Sequence, residues 1–237
     1  MKNKTLPAIV LAAGLFGAAL RWLLYALTTD SKNLIPLGNP LEILLWIVTA
    51  AVVILVCLRI IPLRNMENHP NRFCRNLPAA LGCLASALGI GVTTLQGQTN
   101  VTGTLNLVWT VLGFGAAAGL AVVSFCRLRG REPFFGIHTL VCIFFAIHLV
   151  ISYRGWSSNP QLMDYVFSLF ASLGMMLFAF YHSCLEAGMA KLRLLPLAGL
   201  LTAYCCLVAL SGTNNFLLYL GGALWSLTNL YRLHTEM

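Results

Sequence analysis

The side chains of this chain that could do chemistry are ionisable and aromatic residues in or beside long apolar segments. Arg21 is the most unusual, because about two turns of apolar residues follow it before Asp30. A guanidinium at membrane depth is costly, and it can clamp a ligand carboxylate or phosphate or pair with Glu42 or Asp164. We expect a ligand-binding cluster in the outer half of the molecule, formed by Arg21, Trp22, Glu42, Trp46, His148, Tyr153, Arg154, Trp156, Gln161, Asp164 and Tyr165.

Members of this cluster also have a structural interpretation. Glu42 follows Asn39 at a capping-box position of a predicted helix, and Asp164 near a helix N-terminus is favoured by the helix dipole. Aromatic side chains gather at membrane interfaces, and the Arg21 side chain can reach outward to water. Helix capping and interface anchoring explain Glu42 and the aromatics more simply, whereas for Arg21 both interpretations stay open.

A second group of residues lies near the cytoplasmic ends predicted for two neighbouring segments. His138 begins one segment and His182 ends the next, with Tyr181, Cys184 and Glu186 close by. Such residues could act as acid and base on a membrane substrate. We favour interfacial histidines beside basic loops, because a metal site needs three or four convergent ligands and a six-coordinate haem needs two facing histidines. We expect no cofactor and no bound metal.

The composition predicts the elements that position these residues. The chain has 237 residues, of which 59% are hydrophobic and 9% charged, whereas soluble domains carry about 25% charged residues. This deficit excludes a soluble nucleic-acid binder, a disordered regulator and a secreted disulfide scaffold. We predict an all-α polytopic membrane protein, because backbone groups in lipid must be hydrogen-bonded within each helix.

Eight segments are apolar and long enough to cross a bilayer, which needs roughly 20 residues. They cover residues 6–28, 41–61, 77–95, 104–126, 136–153, 162–183, 194–211 and 214–232. A signal peptide that starts at Lys2 and Lys4 is the alternative for the first segment. Its apolar run continues through Leu27, which favours an uncleaved span. We predict one integral membrane domain over residues 1–237.

The distribution of basic residues predicts the orientation. With both termini in the cytoplasm, the outer loops carry only Lys32 and Arg154 of the 15 Lys and Arg residues, and Arg21 lies within the first span. The remaining basic residues lie on the cytoplasmic side, as the positive-inside rule requires. The net charge of +8 therefore reports orientation. We expect the cytoplasmic face to contact anionic lipid headgroups and no nucleic acid.

Corresponding motifs suggest that residues 1–126 and 127–237 are the two halves of an internal duplication. Asn39-Pro40 begins the second span, and Asn159-Pro160 occupies the corresponding place half a chain later. Two further pairs of motifs follow in the same order. These matches predict a 4+4 parallel repeat, a plan that some transporters use. Convergence is the alternative, because asparagine followed by proline is a good start for any helix.

Sequence motifs of several membrane enzymes do not occur in this chain. It has no HExxH, no phosphate-binding loop and no GxSxG motif, so we do not favour an enzyme. Three functions stay open. The first is a small-solute or ion transporter, or a ligand-binding bundle, with an outward-facing polar and aromatic pocket. The second is a membrane enzyme acting on lipid or isoprenoid at the cytoplasmic face. The third is a non-catalytic subunit of a membrane complex, and a homo-oligomer is compatible with all three.

The segment from Tyr153 to Tyr165, YRGWSSNPQLMDY, resembles a segment of uncharacterised multi-span membrane proteins of gut Firmicutes. The region that joins the first two spans carries the same resemblance, which extends over most of the chain. The resemblance implies a bacterial plasma-membrane protein. It carries no assigned activity, and no functional residue is transferred from it.

Overall fold

The computed structural model describes residues 5–28, 39–61, 76–97, 103–131, 133–134, 136–156, 165–187, 194–212 and 215–233. These residues form eight α-helices and no strand, which confirms the all-α prediction. The helices are α1 (Thr5–Thr28), α2 (Pro40–Ile60), α3 (Leu77–Gln96), α4 (Thr104–Arg129), α5 (Ile137–Trp156), α6 (Val166–Glu186), α7 (Leu194–Ala209) and α8 (Phe216–Leu233). Each helix falls on one of the eight predicted apolar segments, with bounds that differ by a few residues.

Six of these helices, α1 to α6, are long and apolar enough to cross a membrane. The helices α7 and α8 are also apolar but shorter. The 16 residues of α7 extend over about 24 Å, compared with a hydrocarbon core of about 30 Å. The six long helices fit a multi-pass protein that is embedded in a membrane.

Local sequence explains where several helices begin and end. The side chain of Asn39 accepts a hydrogen bond from the backbone N–H of Leu41 at 3.0 Å, and Asn76 caps α3 in a similar way. These caps satisfy backbone groups that have no partner inside the helix. At the other end of α4, Gly130 adopts a left-handed conformation with φ 67°, and its N–H bonds to the Cys126 carbonyl.

Helices α3 to α8 form a closed ring, in which each helix packs against the next and α8 returns to α3. The most extensive contact is between α3 and α8, where glycines bring the two backbones together. A Cβ atom on Gly89 would lie 2.5 Å from the Leu217 carbonyl oxygen, and one on Gly221 would lie 2.7 Å from the Ala85 carbonyl oxygen. Small residues therefore close the ring, as they do in many membrane helix pairs.

Helices α1 and α2 lie outside the ring and pack against α7 and against each other. On α1, Gly14 and Gly17 face Leu207 and Val208 of α7 at distances that leave no room for a side chain. Helix α7 consequently contacts α1, α2, α6 and α8, and most of its residues are buried. The shortest helix is therefore surrounded by its longer neighbours.

Some contacts between helices repeat with a shift of four helices and others do not. The pair α1–α2 corresponds to α5–α6, the pair α3–α4 corresponds to α7–α8, and the two helices of each pair are in contact. The extensive contact between α3 and α8 would correspond to one between α4 and α7, which has no comparable extent in the described residues. The 4+4 parallel repeat therefore stays a prediction.

Neighbouring helices in the ring run in opposite directions, which gives the ring two ends. At one end α4 and α6 finish and α3 and α5 begin, as a hydrogen bond from the Asn76 N–H to the Arg127 carbonyl at 3.3 Å illustrates. We call it the His138 end, after the second residue of α5. The opposite half contains His148, ten residues further along α5, and we call it the His148 end.

Candidate functional site

Arg21 lies inside the protein and is 2% exposed. Its guanidinium donates hydrogen bonds to the Val208 carbonyl oxygen and to the Tyr25 hydroxyl, both at 3.2 Å. Val208 belongs to the last turn of α7, where carbonyl groups lack partners within the helix and form the negative end of its dipole. The guanidinium also fills the space beside Gly212, where a Cβ atom would lie 2.8 Å from Nη2. Arg21 therefore fastens α1 to the C-terminal end of α7.

Aromatic rings complete the surroundings of Arg21. Its Cζ atom lies 5.4 Å from the centroid of the Phe167 ring, which stacks on Trp46 with centroids 5.3 Å apart. Tyr219 of α8 is also close enough to interact with Arg21 electrostatically. The structure thus brings Arg21 and Trp46 together through Phe167. Sequence analysis missed Phe167 because nothing distinguishes it within an apolar segment.

The other residues predicted for the ligand-binding cluster are dispersed. Trp22 is 63% exposed, and Tyr153 and Arg154 are also exposed, so these side chains lie on the outer surface of the bundle. Glu42 and Tyr165 are half-buried. The exposed aromatics suit interface anchoring better than ligand binding. Three further members lie outside the described residues, namely Gln161, Asp164 and the side chain of Trp156.

His148 lies inside the ring and is completely buried. Its imidazole stacks on the Trp109 ring of α4, with centroids 6.3 Å apart, and on Phe144, with centroids 5.9 Å apart. Ser152 lies one turn further along α5 and is also buried. Residues four apart share one face of a helix, so His148 and Ser152 both project toward this region. The imidazole therefore packs against aromatic rings, and a buried hydroxyl lies one turn away on the same helix face.

The polar atoms of this region lack hydrogen-bond partners. Both ring nitrogens of His148, the indole nitrogen of Trp109 and the Ser152 hydroxyl are buried and unpartnered in the part of the chain that the structure describes. The same holds for the side-chain amide oxygen Oδ1 of Asn106, which lies one turn before Trp109 on α4. Buried polar groups are nearly always hydrogen-bonded, so an orphaned group needs an explanation. A bound solute or bound water would provide the missing partners. We refer to Asn106, Trp109, His148 and Ser152 as the His148 cluster.

The His138 end contains a different group of polar side chains. His138 Nδ1 and Glu186 Oε1 are 2.6 Å apart, and the two side chains are only 2% and 5% exposed. The His182 ring lies parallel to the His138 ring with centroids 4.9 Å apart. This distance is short enough for the two histidines to act together. We refer to His138, His182 and Glu186 as the His138 cluster.

Residues from α4, α6 and α8 enclose the His138 cluster. The Trp225 ring is nearly parallel to both imidazoles, with centroids 6.2 Å from His138 and 6.1 Å from His182. Phe178 packs edge-on against His182 at 4.6 Å, and Arg127 interacts electrostatically with His182. The resulting site is an aromatic box that also contains an acid and a base. Within the described residues, His182 Nε2, Glu186 Oε2 and Trp225 Nε1 are buried without a hydrogen-bond partner, as are the polar atoms of the His148 cluster.

Helix periodicity explains this arrangement. On α6, Phe178, His182 and Glu186 are spaced four residues apart and therefore form one stripe that faces the ring interior. His138 is 1% and His182 is 3% exposed, so both imidazoles lie inside the bundle. Their position near the membrane interface stays a prediction. The α6 stripe could have revealed the burial of His182, whereas Trp225 gave no local signal. In the described residues, no three His, Cys, Asp or Glu side chains are placed to hold a metal ion.

Comparisons with known proteins do not assign this chain to a family. No protein-family model, no curated protein and no solved structure matches it. A functional interpretation therefore depends on the geometry of the two clusters.

Proposed function

We propose that this chain is a small-solute transporter or ligand-binding protein of the bacterial plasma membrane, with its binding site inside the helix ring at the His148 cluster. The observation that carries the proposal is the set of buried, unpartnered polar atoms of Asn106, Trp109, His148 and Ser152 in the described residues. In a membrane, lipid cannot supply hydrogen bonds, so each such group costs several kcal/mol. A solute that supplied these bonds would recover that cost.

The polar groups of the His148 cluster favour a small uncharged solute. The Trp109 indole only donates and the side-chain amide oxygen of Asn106 accepts, whereas His148 and Ser152 can do both. A solute with both donors and acceptors, such as a polyol or an amide, would satisfy all four residues. The flat faces of Trp109 and Phe144 would pack against its carbon atoms. An anion at Arg21 is a weaker proposal, because that guanidinium already bonds to Val208 and Tyr25.

The orientation that we propose places all eight helices across the bilayer with both termini in the cytoplasm. The concentration of basic residues in alternate loops supports this arrangement. Helices α7 and α8 are short, but their packing against longer helices would shelter them from lipid. The His138 end would then face the cytoplasm, where basic segments contact anionic headgroups, and the His148 end would face outward.

We also propose that the two halves of the chain arose by duplication, with boundaries at residues 1–126 and 127–237. The support is the order of matching motifs, such as Asn39-Pro40 and Asn159-Pro160. Because Trp109 belongs to α4 and His148 to α5, the solute site is expected between these two helices.

Solute binding is tested with purified protein in lipid nanodiscs. Small polyols, amides and sugars are screened for a rise in the thermal unfolding midpoint, since a ligand that binds only the folded state stabilises it. We expect H148F to lose that rise, because phenylalanine fills the aromatic site without providing hydrogen bonds. Y153F is the matched control, because Tyr153 is exposed on the same helix and should leave the rise unchanged.

Two outcomes would contradict this proposal. If none of the solutes raises the midpoint of the wild-type protein, the His148 cluster does not bind this class of compound. If H148F and the wild-type protein respond equally, the solute binds elsewhere. A protein that co-purifies in fixed ratio, together with no solute effect, would instead favour a subunit of a membrane complex.

The second candidate function is an enzyme acting on a lipid or isoprenoid at the cytoplasmic face. The observation that favours it is the 2.6 Å contact between His138 and Glu186, because a carboxylate that orients an imidazole is typical of general bases. Turnover of labelled phospholipid and prenyl diphosphate by the reconstituted protein, and its loss in E186Q, would test it. No product from either substrate class would exclude this activity.

A further inference from the structure

We propose that His138, His182 and Glu186 form a binding site for a single proton at the His138 end of the ring. This proposal concerns a different site from the one proposed for the solute. It depends on the way in which the three side chains share a small buried space. No residue of the His148 cluster takes part in it.

The contacts of His138 favour one bound proton. The imidazole touches the Glu186 carboxylate at 2.6 Å, and the Trp225 ring lies parallel to it at 6.2 Å. A carboxylate and the face of an indole both stabilise a positive imidazolium. The His182 ring stacks on the His138 ring with centroids 4.9 Å apart, so a charge on one imidazole disfavours a charge on the other and the two titrate as a coupled pair.

The same geometry opposes a second proton. With both histidines neutral, the charges of Arg127 and Glu186 balance each other. One proton leaves a single net positive charge that Glu186 contacts directly. A second proton would place two imidazolium rings 4.9 Å apart beside the Arg127 guanidinium, in a site that excludes water. The cluster therefore accepts one proton and rejects another.

The remaining groups that face the cluster do not change this charge count. Helix α3 contributes the Cys83 thiol, which accepts a hydrogen bond from the Asn229 amide of α8 at 3.7 Å and also interacts with Trp225. Cys142 lies one turn after His138 on α5 and interacts with Cys184 of α6. These thiols are neutral when protonated, so Arg127 and Glu186 are the charged groups that face the histidines in the described residues.

The structure also provides a physical connection between this proton site and the His148 cluster. Helix α5 carries both His138 and His148, ten residues and about 15 Å apart on one continuous helix. A shift of α5 against α6 on proton exchange would therefore move both sites. If the proposed solute binding is correct, this proton is the ion that is coupled to it.

The proton count is tested by nuclear magnetic resonance of nitrogen-15 histidine in the full chain in nanodiscs. The chain has 5 histidines, and the variants H138N and H182N assign the two relevant signals. Over the pH range in which the protein stays folded, we expect His138 and His182 together to gain one proton. In E186Q the pair should gain none in this range, whereas E42Q at the opposite end should behave as the wild-type protein does.

Two results would contradict the proposal of a single-proton site. In the first, the pair of His138 and His182 gains two protons. In the second, the pair gains the same number of protons in E186Q as in the wild-type protein. H182F provides a second test if E186Q does not fold, because it keeps the His138–Glu186 contact and should still gain one proton. A titration of H182F that gains no proton would also contradict the proposal.

Coupling to the solute site is tested separately with 5-fluorotryptophan at Trp109. The indole does not titrate, so its fluorine signal reports only changes around it. We expect this signal to move in the same pH range as the histidine pair and to stay constant in E186Q. An unmoved signal would overturn the coupling but not the proton count. Loss of solute binding in the H148F experiment concerns only the proposed function.

Discussion

The two ends of the helix ring contain buried histidines in opposite polar environments. His138 touches a carboxylate at 2.6 Å and stacks on a second histidine, so its polar atoms belong to a cluster that crosses several helices. His148 stacks between two aromatic rings, and neither of its nitrogens has a hydrogen-bond partner in the described residues. His138 thus has a charged hydrogen-bonding partner and His148 has none, although His182 Nε2 and Glu186 Oε2 of the His138 cluster are also unpartnered in the described residues.

This difference concerns two individual histidines, one with a polar partner and one without. A hydrogen-bonded histidine contributes to stability and is costly to remove, because its partner loses a bond as well. An unpartnered histidine costs stability, and such sites persist where they have a function. Substitution at the two ends should therefore change stability in opposite directions.

The largest effect is expected for H138F. Phenylalanine would leave the Glu186 carboxylate buried without its imidazole partner, which should lower the free energy of unfolding by about 3 kcal/mol. Thermal unfolding in nanodiscs measures the change. The double variant H138F/E186L removes both partners and should recover part of the loss. An unchanged midpoint in H138F would show that the contact contributes nothing to stability.

A smaller loss of stability is expected for R21M. This variant extends the comparison to a buried side chain that is hydrogen-bonded to the backbone. Methionine cannot donate to the Val208 carbonyl at the end of α7, so we expect a loss of about 2 kcal/mol. R21K is the matched control. It keeps the charge but lacks the planar guanidinium and should recover only part of the loss. Wild-type stability in R21M would argue against this fastening role.

For H148F we expect the protein to become more stable, in contrast to H138F and R21M. Removing two unpartnered nitrogens should raise the free energy of unfolding of the solute-free protein by about 1 kcal/mol. The measurement is the same thermal scan, made without added solute. S152A, one turn away on α5, should also be neutral or stabilising. If H148F destabilises the protein as strongly as H138F does, the two ends do not differ in the way that we describe.

The smallest effect is expected for W22A. Trp22 is 63% exposed and contributes to neither cluster, so its truncation should change the free energy of unfolding by no more than about 0.5 kcal/mol. Solute binding and the histidine proton count should also stay the same. If W22A changes solute binding or the histidine proton count, Trp22 belongs to the binding site that its position in the sequence suggested.

Sequence analysis predicted the helices better than the site. The helices were predictable because long apolar segments and caps such as Asn39 act locally. The predicted ligand-binding cluster combined residues because they lie at a similar depth in the membrane. It assumed that such residues contact one another, as for Arg21, Trp46, Tyr153 and Arg154. In the structure Tyr153 and Arg154 are exposed, since depth along the membrane does not decide which way a side chain turns around its helix.

The sequence by itself determined the number of apolar helices, their approximate bounds and the membrane environment, because these depend on local hydropathy and on backbone hydrogen bonding. Only the tertiary structure decided which side chains meet. The ring of α3 to α8 brings His138 to Glu186 across 48 residues of sequence and leaves His148 among aromatic rings without a partner. These outcomes depend on helix rotation and on close backbone contacts such as that at Gly89. The polarity of a single segment specifies neither the rotation of its helix nor its close contacts with other helices.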